Sequence, residues 1–413
     1  MLRYQHYEYE NGLEVVLKRA DYDTACLLLG LRMGPLYESA EMSGASHFIE
    51  HMLFQTPANG SKKKYLENLE WRGISANAET GREYLSLEMS CSSRRTDIAL
   101  ESMFNALTAK RYIPEDFTAE LGNIMREIDK YYDTPAHYLE DWMFLPVMHR
   151  GTSLQKQILG TTETLQAFTP EMLFAYRQHF FYPENMVLVV AGNFNERKVL
   201  KKIGETFAAL RSTGKNTPLA PPYRPLPYPR LLEESRPEIQ QTYMQVGFRT
   251  PGYTHEDYLL LHFLTHILGN SGGGALSSRL ASTFAVEEGY SYTFGAELES
   301  SPQIGIFSTH LAVAPEQERK VISALKSIYY DLSMHKIKKS ELEGVKTRIL
   351  AESHDVEDGA RELFKHVAYG LKYDLLSDAY KKRIKAITAD EVLATARKYL
   401  RRKQLTAILR PKK

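Results

Sequence analysis

Apolar and polar positions follow two different periods along this chain. EYLSLEMSC (83–91) alternates residue by residue, as a half-buried strand does. NGLEVVLKR (11–19) opens on an Asn-Gly turn and runs on as a strand. MVLVVAG (186–192) is apolar throughout and predicts a buried strand. Segments 97–110 and 115–132 instead carry the helical period and predict long amphipathic helices. AFTPEMLFAYRQHFF (167–181) predicts a helix with Thr169 as N-cap and Pro170 at N1.

The pattern runs through the chain twice. AITADEVLATARKYL (386–400) carries the capping pattern Thr388 to Glu391 and precedes LTAILRP (405–411), about 219 residues after its counterparts. FTAELGNIMREI (117–128) pairs with KKSELEGVKTRI (338–349) at an offset of 221. Two matches in one order at nearly one offset point to a duplicated domain, although generic amphipathic helices share these features. Between the halves, NTPLAPPYRPLPYPR (216–230) places six prolines in fifteen residues, which neither a helix nor a central strand accommodates. An extended linker is predicted there. The expected domains are residues 1–215 and 231–413, joined by 216–230. Each is α+β, with helices packed on a largely antiparallel sheet.

Composition adds exclusions. At 413 residues the chain exceeds one ordinary core. A net charge of +1 points away from nucleic acid or a polyanion as partner. The start, MLRYQHYEYENG, lacks the apolar stretch of a signal peptide, and no apolar run approaches membrane-spanning length. Cys26 and Cys91 stand far apart in sequence, which argues against a disulfide scaffold and fits a reducing, cytoplasmic location.

Candidate chemistry lies in SHFIEHMLF (46–54). His47 and His51 are i and i+4, so on a helix they project from one face, where two imidazoles can bind one Zn²⁺. Glu50 sits on the neighbouring edge, close enough to act as a base. His-x-x-Glu-His is the inverted zincin pattern. The other reading is two histidines under a helix, satisfied by backbone carbonyls. Downstream, Glu120, Ile124 and Glu127 share one stripe of a helix. Carboxylates on a core-facing stripe are costly unless paired or metal-bound. Glu127 then becomes the third ligand and Glu120 its supporting neighbour; the other reading leaves both solvated.

With these residues in view the chain resembles the M16 metallopeptidases, the group of pitrilysin, insulysin and the mitochondrial processing peptidase, in its short two-domain branch. His51 to Glu127 is 76 residues and Glu120 to Glu127 is 7, as in that family. GISANAET (73–80), LGTTE (159–163), YPENMVLVVAGNF (182–194) and LGNSGGGALSSRL (268–280) also resemble family segments. The resemblance implies two homologous domains closing into a clam-like enclosure. It implies a zinc endopeptidase in which His47, His51 and Glu127 hold Zn²⁺ and Glu50 serves as base. It further implies unfolded peptides bound as an added edge strand, with Asn77 and Ala78 as contact residues.

The second half holds a look-alike. His262 and His266 repeat the histidine spacing, but Thr265 replaces the base and Arg348 falls where the duplication would put a counterpart of Glu127. A cation cannot ligate zinc. That half is expected to be a non-catalytic lid with structural histidines. The family's substrate-binding arginine and tyrosine would fall at Ala285 and Tyr292, so the arginine is absent. Arg279 is the nearest cation to stand in. A related chain carrying the missing arginine, or a second copy, is therefore an expected partner. The competing functions are a non-catalytic interaction subunit and a zinc site of structural role.

Overall fold

The computed structural model describes residues 4–55, 61–270, 276–287, 289–291, 293–351, 355–372 and 377–412. The regular elements fall where the periodicity puts them. The 83–91 alternation becomes a strand at Leu85–Ser92, and 186–192 becomes the strand Met186–Gly192, buried at every position. The helix Pro170–Phe180 begins at Thr169, whose side chain accepts the N–H of Met172. The helix Ala389–Tyr399 has a complete capping box between Thr388 and Glu391. Residues 216–230 form neither helix nor strand.

The strands make two sheets. In the first, β1 (Gln5–Glu8), β2 (Glu14–Arg19), β3 (Thr24–Leu31), β4 (Ser75–Thr80), β5 (Leu85–Ser92) and β6 (Met186–Gly192) take the order β1-β2-β6-β3-β5-β4. In the second, β7 (Leu231–Arg236), β8 (Thr242–Pro251), β9 (Thr293–Ser300), β10 (Ile304–Val313) and β11 (Leu405–Pro411) take the order β7-β11-β8-β10-β9. One parallel pair occurs in each, β2 with β6 and β7 with β11; the remaining pairs are antiparallel. Without β1 the two orders superimpose strand for strand. The duplication read from two helices thus extends to sheet topology.

The compact units are not the contiguous halves expected. One comprises Met1–Asp129, Lys156–Pro222 and His354–Asp378; the other comprises Lys130–Gln155, Tyr223–Ser353 and Ala379–Lys413. Each half therefore gives up a helical segment. In the first unit the helix Val356–Tyr369 lays Val356, Ala360, Leu363, Phe364 and Ala368 on Val16, Cys26, Leu28, Val187, Val189 and Ala191 of the sheet. In the second, Tyr138, Leu139, Met143, Phe144 and Met148 cover Ile306, Leu405, Ala407 and Leu409. Burying an apolar sheet face outweighs chain proximity, so the boundaries 1–215 and 231–413 do not describe the packing.

Cys26 and Cys91 are close in space after all, on adjacent strands. Cys26 faces Ser90 and Cys91 faces Ala25, so the sulfurs point to opposite faces of the sheet, and both are free.

Candidate metal centre

The first unit brings the histidine helix, Ala45–Met52, against the long helix Pro114–Asp133. Phe48 stacks on Phe117 with centroids 4.6 Å apart, which fixes the two helices side by side. The core-facing stripe of the long helix is Phe117, Glu120, Ile124 and Ile128. Glu127 lies at its half-buried margin and meets the histidines there.

His47 Nε2 is 3.8 Å and His51 Nε2 is 3.5 Å from Glu127 Oε2. The three ligand atoms lie within 4.8 Å of one another, and no other such His/Cys/Asp/Glu cluster occurs among the described residues. Ligands of a four-coordinate zinc sit roughly 3.3 Å apart, so small rotations of these side chains bring them into range.

The supporting contacts favour a metal over a fortuitous cluster. Glu120, 5% exposed, accepts the His51 Nδ1–H at 3.0 Å. That leaves the Nε2 lone pair aimed at the Glu127 carboxylate. Two acceptors facing each other need a cation or a proton between them, and a carboxylate behind the imidazole is the usual support of a metal-binding histidine. Glu120 is held in turn by Gln55 Nε2 and by Lys62 Nζ at 3.3 Å.

The electrostatics follow from burial and neighbours. Burial, reinforced by the charge of His51, lowers the His47 pKa to about 4. Burial also works against charge on His51, but Glu120 and Glu127 outweigh it and push its pKa up to about 9. Burial would raise the Glu120 pKa; its bonds to His51, Asn123 and Lys62 bring it down to about 2 instead. The Glu50 carboxyl is pushed up to about 7 by burial, against the opposing hydrogen bond from Thr80 and the charge of His51. A carboxylate poised near neutrality is what a general base requires.

Thr80 was not foreseen. Its hydroxyl donates to Glu50 Oε2 at 2.7 Å, tying Glu50 to β4, the last strand of its sheet. Gln55 and Lys62 were likewise unforeseen; no spacing rule marks them. Asn77 and Ala78 fall within β4, where alternation turns Ala78 and buried Thr80 to one face and Asn77 to the other.

The second unit has the same scaffold without the ligands. His262 and His266 pack ring to ring at 4.8 Å and 64°, against 4.7 Å and 66° for His47 and His51. The Arg348 guanidinium instead donates to the His266 carbonyl and to Ser277 Oγ, both at 3.0 Å. Glu341, the counterpart of Glu120, survives but binds Arg279 through both carboxylate oxygens, at 2.8 and 3.0 Å. Arg279 also contacts Asp331. It is therefore engaged by two carboxylates, which argues against its standing in for the arginine missing at Ala285. Tyr292 lies outside the described residues, as do 271–275 of the glycine-rich segment.

A duplicated α+β fold, with two histidines and a distal glutamate converging in one copy, defines a metallopeptidase-type architecture. The chain belongs to the M16 peptidase family: residues 14–162 match the family model described as Insulinase (Peptidase family M16), and residues 167–349 match Peptidase M16 inactive domain. An uncharacterized zinc protease of Rickettsia felis is 26% identical over 407 residues, covering 97% of this chain and 96% of the relative. The uncharacterized zinc protease YmxG of Bacillus subtilis is 25% identical over 346 residues, covering 84% and 82%. The fold matches the crystal structure of a protease from Helicobacter pylori with a TM-score of 0.89 at 17% identity over both full chains. It matches a peptidase M16 inactive domain from Pseudomonas fluorescens with a TM-score of 0.89 at 16% identity, covering 100% and 98%. No helix among the described residues is long and apolar enough to cross a membrane.

Proposed function

We propose that this protein is a zinc-dependent endopeptidase acting on unfolded peptides. The observation that carries the reading is the bond from His51 Nδ1 to Glu120, which leaves His51 Nε2 turned toward Glu127 beside His47. His47, His51 and Glu127 hold the metal. Bound Zn²⁺ supplies Lewis acidity toward a water and a peptide carbonyl. Glu50 accepts the proton of the attacking water and returns it to the leaving amine, and Thr80 keeps its carboxylate in place. β4 offers main-chain donors and acceptors at the edge of its sheet, so an extended peptide can add as a further strand next to the base. Asn77 and Ala78 contribute backbone there. Pairing through the main chain of Asn77 and Ala78 reads backbone shape rather than sequence.

The second unit is non-catalytic: Arg348 occupies the third-ligand position of the look-alike site. With Ala285 in place of an arginine and Arg279 engaged by Glu341 and Asp331, a related chain is the expected partner, supplying the missing cation. Two free, buried cysteines suit a reducing compartment, which supports action in the cytoplasm.

The test is zinc analysis of the purified chain together with cleavage of a denatured, dye-labelled protein, alone and with candidate partner chains. Glu50→Gln should keep zinc and lose turnover by at least about 100-fold, the usual scale for removing a general base. Wild-type turnover in that variant would reassign the base. A folded protein that takes up no zinc would favour the interaction-subunit reading.

A further inference from the structure

Of the two histidines, only His51 is aimed by a side chain. His47 Nδ1 is buried without a hydrogen-bond partner, so the direction of that ring depends on where the helix backbone puts it. Yet the helix starts without a cap of its own. Gly44 stands at the N-cap with φ of 89°, has no side chain to offer, and the first turn carries no acid. Buried N–H groups at a helix start need acceptors. They find one upstream: the Glu38 carboxylate accepts from Gly44 N–H at 3.0 Å and from Ser46 N–H at 2.9 Å, one oxygen each.

Glu38 is only 5% exposed. A buried carboxylate is costly unless compensated. Here the two amides, the positive end of the helix and the nearby Lys156 ammonium offset part of that cost, and burial still holds the carboxyl pKa above its ordinary value. Lys156 Nζ also binds the carbonyls of Pro35 and Glu38, at 2.9 and 2.8 Å, closing the loop around the carboxylate. From behind, a Cβ on Gly44 would stand 2.8 Å from Gly160 Cα, and Thr164 Oγ1 donates to the Ser43 carbonyl at 2.8 Å. The Ala45 N–H goes to the Met42 carbonyl at 3.0 Å, and of these side chains Glu38 is the one bonded to amides at the helix start.

We propose that Glu38 is a positioning residue of the metal centre: bonded to the amides of Gly44 and Ser46, it sets the rotation of the histidine helix and thereby aims His47. The inference rests on the zinc reading above. Glu38→Gln keeps the shape but turns an NH₂ group toward one of the two N–H donors, so one bond is lost and the helix start can turn.

The experiment is zinc competition between the full chain and a chromophoric chelator, well below the melting temperature, with kcat and KM for an extended peptide measured alongside. The variant should bind zinc roughly tenfold more weakly, the scale of groups that orient a ligand, and lose kcat with KM unchanged. A merely structural role would lower the melting temperature and leave the affinity of the folded protein intact; that result overturns the proposal. Should Glu38→Gln fail to fold, Lys156→Met carries the test, with a roughly threefold loss expected and an unchanged affinity overturning it. A wild type that takes up no zinc removes the zinc reading and this inference together. Zinc bound by the wild type and equally by the variant removes only the role of Glu38.

Discussion

Replacing Glu120 with leucine should change zinc binding through two effects of opposite sign, and pH separates them. The first is orientation. Glu120 accepts the His51 Nδ1–H at 3.0 Å, and a charged hydrogen bond contributes about 1.5–3 kcal/mol. At about 1.4 kcal/mol per decade this is roughly 10–100-fold in affinity, the range found for partners behind metal ligands. The second is proton competition. Burial opposes charge on His51, but Glu120 and Glu127 push its pKa up to about 9, so below that pH zinc must expel a proton. At pH 7 this cuts wild-type affinity about 100-fold from its high-pH limit. Wild-type affinity therefore climbs from pH 7 to about 9 and then levels. Glu120→Leu removes one of the two carboxylates that hold the proton, so its plateau begins at lower pH. Chelator-buffered zinc titration near pH 10 should show the variant about 10–100-fold weaker, while at pH 7 the gap narrows. Gln55 also loses its buried partner, so a stability loss of about 1–3 kcal/mol accompanies the change. A gap independent of pH, or none at pH 10, would refute the role given to Glu120.

Metal analysis after mild chelation should find zinc lost from His47→Ala and Glu127→Ala but retained, one per chain, in His266→Ala, because Arg348 fills the equivalent third position; equal loss in all would move the site. In the second unit, burial and then Glu297, Asp141 and Glu299 push the Glu140 carboxyl up to about 8. The folded state thus holds a proton that the unfolded chain releases near its ordinary pKa, so stability falls as pH rises toward 8 and levels beyond. Glu140→Gln should raise the melting temperature at pH 8.5 and change it little at pH 5; an equal gain at both would contradict this. Ala285→Arg should raise kcat/KM of the lone chain on extended peptides about ten- to a hundredfold, the worth of one charged hydrogen bond in the transition state; no gain, with a lone chain already as active as a mixture with its partner, would count against divided labour.

Local chemistry was legible wherever it depends on a repeating backbone. The i, i+4 spacing of His47 and His51 needs only a helix to bring the rings together, and the same rule pairs His262 with His266. Thr169 and Thr388 mark helix starts because a cap acts within three residues. Glu127 was harder. Its helix and stripe follow from periodicity, and the cost of a carboxylate on that stripe made it a candidate ligand, but its approach to His51 crosses 76 residues, a spacing that only the family resemblance supported ahead of the structure.

By itself, then, the sequence determined the elements, their duplication, and the residue types of one complete and one broken candidate ligand set. These follow from periodicity and from the fact that a guanidinium cannot ligate. Tertiary structure decided what touches across long stretches of chain. It gave the helix Val356–Tyr369 to the first sheet and residues 138–148 to the second, because an amphipathic stripe specifies that it be covered, not by which partner. It tied Glu50 to Thr80, engaged Arg279 with Glu341 and Asp331, and set Glu38 under the histidine helix. Those are polar contacts between side chains or amides brought together by packing, and a short-range pattern holds no record of them.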